Sequence, residues 1–199
     1  MSNDGITRKV LRISMLGDTG VGKTSIINRF LDLGFSQQIA SNIGVEKHYK
    51  EMQMNDGKKM KVILWDTAGQ ERFHAIATNT IKTCQGIVLS FDLTKKATFE
   101  KLADWIKEVR DINNQIPLII FGNKCDMIDN REVEEEDAQD FAKSYNLEYF
   151  ETSAKENINI NQGLKIVIEK AYEKSGSTLG VDLEIKKNQE EKKKKFLLN

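Results

Sequence analysis

Apolar and polar positions follow two different periods along this chain. VLRISML (Val10–Leu16) is an apolar run of strand length ending in a glycine-rich turn, and Ser25 to Leu33 then reads as a helix. Val45 to Met54 alternates, reaches Asn55-Asp56-Gly57 and resumes as KMKVILW, which predicts an antiparallel hairpin. GIVLSFDL (Gly86–Leu93) and PLIIFGN (Pro117–Asn123) are mostly apolar, as strands buried on both faces are. Between them Phe99, Leu102, Trp105, Ile106 and Val109 recur at helical spacing, so Trp105 is assigned to the core. Asp137–Tyr145 and Asn159–Lys174 read as helices, with LEYFETS between them as the last strand. Strands alternating with helices predict an α/β fold with a mostly parallel sheet and helices on both faces. The single proline, Pro117, opens a predicted strand, where a missing N–H costs least.

The ends differ from this middle. Residues 1–8 are polar and expected to be a flexible N-terminus, and SGSTLGVDLEIKKNQEEKKKKFLLN (175–199) is expected to be a flexible C-terminal tail. One domain over 9–174 remains. Lys and Arg number 30, as do Asp and Glu, so the formal net charge is zero, which argues against nucleic acid as a partner. Two cysteines, Cys84 and Cys125, cannot build a disulfide framework or a four-ligand zinc site, and they fit a reducing, cytoplasmic location. No apolar run approaches the roughly 20 residues of a spanning helix. The start has neither a signal-peptide core nor a glycine at position 2. A monomer is expected.

Gly17-Asp18-Thr19-Gly20-Val21-Gly22-Lys23-Thr24 fits G-x-x-x-x-G-K-[ST] between a predicted strand and a predicted helix. Its glycines let the backbone wrap closely round phosphates. The amides of Thr19 to Ser25 and the helix N-terminus face the anion, Lys23 brings a cation to the β- and γ-phosphates, and the Thr24 hydroxyl suits Mg²⁺. A chance glycine turn is the bland alternative, and the strand-to-helix context argues against it.

Three more segments sit at carboxyl ends of predicted strands, where parallel sheets bind ligands. In Asp66-Thr67-Ala68-Gly69-Gln70, the aspartate can hold Mg²⁺, the Gly69 amide can approach a γ-phosphate, and Gln70 can orient an attacking water. In Asn123-Lys124-Cys125-Asp126, a carboxylate at Asp126 suits guanine N1 and N2, Asn123 can fix the loop, and the Lys124 stem can cover the base. Ser153-Ala154-Lys155 can give a backbone N–H to guanine O6. Each segment alone could be an ordinary polar turn.

GDTGVGKT, WDTAGQERF, NKCD and ETSAK, in this order, resemble a Ras-like small GTPase, and IGVE, WDTAGQERF and SFDLT resemble the Rab branch most closely. The resemblance covers about 9–174. It implies a P-loop GTPase fold, with a six-stranded mostly parallel sheet, one antiparallel edge strand and five helices on its two faces. It implies Mg²⁺, GTP and GDP as substrate and product, and two mobile switch segments. It implies a GTP/GDP switch with slow hydrolysis, acting in vesicle trafficking at the cytosolic face of endomembranes, with Gln70 and Lys23 as catalytic residues. Phe35 falls where the family places an aromatic against guanine, and Thr19 beside the γ-phosphate. No arginine of the chain is identified for the transition state, so a partner is expected to supply one, worth ~10³ to 10⁵ in rate.

Three departures change the picture. Asn42 stands where the family's first switch has a Mg²⁺-ligating threonine, and weaker closure round GTP is expected, since the amide oxygen lies one bond further out. A guanine-nucleotide-binding module with impaired switching is the alternative function. Of the family's aromatic trio for effectors only Trp65 is retained, with Lys47 and Thr80 in the other places, so standard effectors are expected to bind poorly. Exchange factor, activating protein and effectors are expected on residues 36–48 and 66–82. His48 and His74 are read as solvated. No cysteine follows Cys125, so either the sequence is trimmed at this end or the protein is not prenylated, and Lys192 to Lys195 alone offer only a weak membrane contact.

Overall fold

The computed structural model describes residues 10–34, 45–67 and 74–176, the side chains of 74–77 excepted. The strands are β1 (Val10–Leu16), β2 (Val45–Gln53), β3 (Lys59–Thr67), β4 (Gly86–Asp92), β5 (Leu118–Asn123) and β6 (Glu148–Thr152). They form a six-stranded sheet in the order β2-β3-β1-β4-β5-β6. β2 pairs antiparallel with β3, Val45 opposite Thr67 and Gln53 opposite Lys59, and every other pairing is parallel. The hairpin turn follows from Gly57, whose φ of 82° closes it. β1 has β3 on one side and β4 on the other. The chain therefore reverses its winding at β1, and a crevice opens at its carboxyl end.

The helices are α1 (Lys23–Phe30), α2 (His74–Thr83), α3 (Lys96–Glu100), α4 (Leu102–Ile112), α5 (Glu135–Ser144) and a helix over 160–176, called α6. The helix expected through Phe99 to Val109 is thus two segments, divided at Lys101, and there is a short 3₁₀ turn at Ile128–Asn130. α1 starts at Lys23 rather than Ser25, because the Ile26 amide bonds to the Gly22 carbonyl at 2.9 Å and draws Lys23 and Thr24 into the first turn. It ends at Phe30, before the positive φ values of Asp32 and Gly34. α6 runs through 176, two residues past the expected tail boundary. The expected N-terminus and the rest of the tail lie outside the described residues.

Two cores lie against the sheet. One gathers Ile26, Ile27 and Phe30 of α1 with Leu164, Val167 and Ile168 of α6 over Ile13, Met15, Val62 and Leu64. The other sets Leu102, Ile106 and Val109 of α4 with Ala138 and Ala142 of α5 over Ile87, Leu89 and Ile120. With helices on both faces, β4 and β5 are buried throughout, which is why they read as continuous apolar runs. Trp105 is only half-buried at the edge of the second core, a correction with a structural cause: its indole turns to Asp18. Glu135, Glu136 and Asp137 occupy the first turn of α5, where its dipole favours acidic groups. Among the described residues no helix is long and apolar enough to cross a membrane.

Candidate functional site

All five parallel strands point their carboxyl ends at one edge, where the end of β3 and the loops after β1, β5 and β6 bring the described candidate residues. The loop after β1 depends on its glycines. Gly17 has φ +130°, and a Cβ there would lie 2.0 Å from the Ser90 carbonyl oxygen. Gly22 has φ +98°, and a Cβ would lie 2.3 Å from Asn123 Nδ2. Thr19 and Gly20 are exposed at the rim, Val21 is buried, and Ser25 is half-buried in the first turn of α1. Gly22 caps α1 without a side-chain bond, and the first turn has no acidic residue. Helix amides and dipole are thus presented to an anion.

Lys23 is buried, 5% exposed, and donates to the Gly17 carbonyl at 2.6 Å and the Asp18 carbonyl at 2.7 Å. The loop curls round its ammonium and holds that charge at the crevice. Beside it the Thr24 hydroxyl donates to Asp66 Oδ2 at 2.5 Å. Asp66 is buried, and its other carboxylate oxygen, Oδ1, has no hydrogen-bond partner. Burial pushes the Asp66 carboxyl up from its ordinary value, against the opposing effects of the Thr24 hydroxyl and the Lys23 ammonium. A buried carboxylate oxygen without a partner is costly. A hard cation between Thr24 and Asp66 would satisfy it, so the two residues fit Mg²⁺. Among the described residues no three His, Cys, Asp or Glu side chains group to hold a metal. A hydroxyl and a single carboxylate suit an ion bound through one or two protein groups and phosphate oxygens.

Asn123 joins this end to the other. Its Nδ2 donates to the Val21 carbonyl at 2.8 Å, while Oδ1 accepts from the Thr152 hydroxyl at 3.4 Å and the Ala154 amide at 3.3 Å. One buried side chain therefore ties together the loops after β1, β5 and β6. Of the segment Ser153-Ala154-Lys155, the Ala154 amide donates to Asn123. Asp126 is half-buried and its Oδ1 accepts from the Ser153 hydroxyl at 2.6 Å, with Lys155 Nζ 4.0 Å from Oδ2. Lys124 takes a positive φ of 70° and donates to Asp92 Oδ2 at 2.5 Å.

Sequence patterns missed three supporting residues. Asp92 holds Lys124, and its Oδ1 accepts from the Thr94 amide and hydroxyl at 2.9 and 2.7 Å. Arg29 grips the loop after β6. Asp18 pairs with Lys101. A carboxylate ending an apolar strand (Asp92) was a legible signal. Arg29 and Lys101 carried none, since each acts on a loop far away in sequence.

Several predicted residues lie outside the described ones: Phe35, Asn42, Gly69 and Gln70, with most of 36–48 and part of 66–82. At the described edge of that surface, the Lys47 ammonium sits 5.7 Å from the centroid of the Trp65 ring. Trp65 is buried rather than offered as an anchor. Thr80 is buried too. His48 is not solvated as expected: β2 turns it toward the α1 side of the sheet, half-buried, 3.7 Å from Glu46. The side chain of His74 lies outside the described residues.

The Ras family model matches residues 12–174. The chain is similar to Ras-related protein Rab-22A of Homo sapiens, 44% identical over 153 residues, which are 76% of this chain and 78% of that protein. It is 37% identical to Ras-related protein Rab-10 of Diplobatis ommata over 167 residues, 83% of each chain. It is 35% identical to Ras-related protein Rab-13 of Bos taurus over 168 residues, 84% of this chain and 82% of that one.

Proposed function

Because this chain belongs to the Ras family, as a Rab-like small GTPase that hydrolyses GTP in vesicle trafficking, we propose how its own residues do so. Lys23 and the amides of 19–25 bind and orient the phosphates. Thr24 and Asp66 hold Mg²⁺, with Asn42 as the third candidate ligand. The chemistry Mg²⁺ supplies when bound is neutralisation of charge on the β- and γ-phosphate oxygens. Gln70 orients the attacking water and Gly69 faces the γ-phosphate. Asp126 accepts from guanine N1 and N2, held for that by the Ser153 hydroxyl. Lys124 covers one face of the base and Phe35 meets it from the side. Ala154 and Lys155 line its O6 edge.

The observation that carries this reading is Asn123, which bonds the loop after β1 and the loop after β6 with one buried amide. A site built to hold a base and a phosphate chain at fixed separation needs such a brace. The alternative of a module that does not switch rests on Asn42 alone, and no observation favours it. Exchange factor, activating protein and effectors are assigned to 36–48 and 66–82. The protein acts from the cytosol on endomembrane surfaces, as a monomer.

The test is nucleotide binding and single-turnover hydrolysis with the full chain. GTP should bind far better than ATP, and EDTA should speed GDP release and abolish hydrolysis. Asp126→Asn should lose guanine nucleotide and gain xanthine nucleotide, since an amide can donate to the xanthine O2 that replaces the N2 amino group. Equal affinity for ATP and GTP, or hydrolysis without Mg²⁺, would overturn the assignment.

A further inference from the structure

The phosphate loop is tethered from outside the nucleotide crevice. Asp18, its second residue, accepts from Lys101 Nζ at 2.6 Å through Oδ2, and the Trp105 indole N–H reaches Oδ1 at 3.5 Å. The same residue's carbonyl accepts from Lys23 at 2.7 Å. One residue thus carries the phosphate-binding lysine on its backbone and a second cation on its side chain.

The pair is unequal in burial. The Asp18 side chain is 10% exposed and that of Lys101 51%. The G-x-x-x-x-G-K pattern asks for no carboxylate at this position, and a buried negative charge beside a polyanion site opposes binding. Lys101 stands at the break between α3 and α4, at the N-cap of α4, where its side chain makes no capping bond to that helix. α4 is anchored independently by Leu102, Ile106 and Val109, none more than 1% exposed, so the ion pair is not what holds the helix down.

We propose that Lys101 is a positioning residue for the triphosphate: it cancels the Asp18 carboxylate and fixes the loop that carries Thr19 and the Lys23 contacts. This rests on the reading that the loop holds phosphates. Without Lys101 the buried carboxylate keeps an uncompensated negative charge near the nucleotide. The penalty then grows with phosphate charge, so GTP suffers more than GDP.

The experiment is release of fluorescently labelled GTP and GDP from the full chain in Mg²⁺, at low and high salt. Lys101→Met should speed GTP release about fivefold, the scale of a half-exposed ion pair, and GDP release less. Lys101→Arg should restore both rates, and added salt should shrink the difference. In an Asp18→Asn background Lys101→Met should change neither rate, because no charge is left to cancel. Equal effects on GTP and GDP, no effect, or an effect that persists in Asp18→Asn would overturn the proposal. Failure of the unsubstituted chain to bind labelled GDP would instead overturn the site reading beneath it.

Discussion

Arg29, in the last turn of α1, donates from Nε to the carbonyl of Ala154 at 2.8 Å. Its Nη2 donates to the carbonyl of Lys155 at 2.6 Å. The helix that begins with Lys23 and Thr24 at the glycine-rich loop therefore ends with a guanidinium on the loop after β6. Eight residues of rigid helix set the separation between the two halves of the site.

Arg29→Met removes both bonds and leaves two carbonyls for water to satisfy. The site is partly exposed, so the expected loss of stability is only about 1 kcal/mol. The functional effect should be of the same size, because the loop is what loosens. Amide hydrogen exchange across 153–156 should accelerate, and GDP release should rise on the order of fivefold, the rate equivalent of that energy. Faster exchange without faster release would show that the loop does not grip the base.

Asp92 makes a second kind of support. It is fully buried, with Oδ1 on Thr94 and Oδ2 on Lys124. In Asp92→Asn the amide nitrogen cannot accept from Lys124 if its oxygen keeps Thr94. The expected cost is about 1 to 3 kcal/mol in stability, read by thermal unfolding. Affinity for GDP should fall on the order of tenfold by calorimetry, as Lys124 loses its hold above the base. A fall in stability with unchanged affinity would remove Lys124 from the base.

These supports explain what the sequence revealed. Strands β4 and β5 were plain, because burial on both faces leaves an unbroken apolar run. The phosphate loop was plain because its spacing is dictated by backbone geometry at Gly17 and Gly22. Lys101 dividing α3 from α4 was not legible, because Phe99, Leu102, Ile106 and Val109 keep one helical stripe across the break. Nor was the half-burial of Trp105, an apolar residue at an apolar position. Its indole N–H is drawn to a carboxylate brought there by the fold, and no local pattern encodes that. His48 failed in the other direction: the alternation of β2 placed it on the α1 face, yet a lone histidine on an edge strand read as solvated.

The two thiols should behave differently. Cys84 is buried, and burial pushes its thiol up to about 12. Cys125 is half-buried, and burial together with the Glu151 and Asp126 carboxylates raises it as well. A raised thiol pKa means less thiolate at a given pH and slower attack. At pH 8 the folded protein should therefore titrate one cysteine, slowly, with an aromatic disulfide reagent, and both after unfolding. Salt screens the carboxylates and should speed Cys125 modestly while leaving Cys84 protected. Rapid reaction of both thiols in the folded protein would contradict the burial of Cys84.

Gly22 offers the sharpest test of the link between base and phosphate ends. Its φ of +98° disfavours any side chain, and a Cβ would sit 2.3 Å from Asn123 Nδ2. Gly22→Ala must therefore pay backbone strain of about 1 to 2 kcal/mol and also displace Asn123 from the Val21 carbonyl. Both ends of the site should fail together, with GDP affinity falling by at least two orders of magnitude, since strain and a lost buried bond add. Asn123→Ala removes the obstructing atom along with the brace. In the double variant Gly22→Ala/Asn123→Ala the alanine at 22 meets no amide, and it adds only the backbone strain to the loss of the brace. The double variant should thus be less impaired than the sum of the two single changes, by about 1 kcal/mol or more in a cycle on GDP affinity. Strict additivity would mean that the side chain at 22 and the Asn123 amide do not compete for the same space.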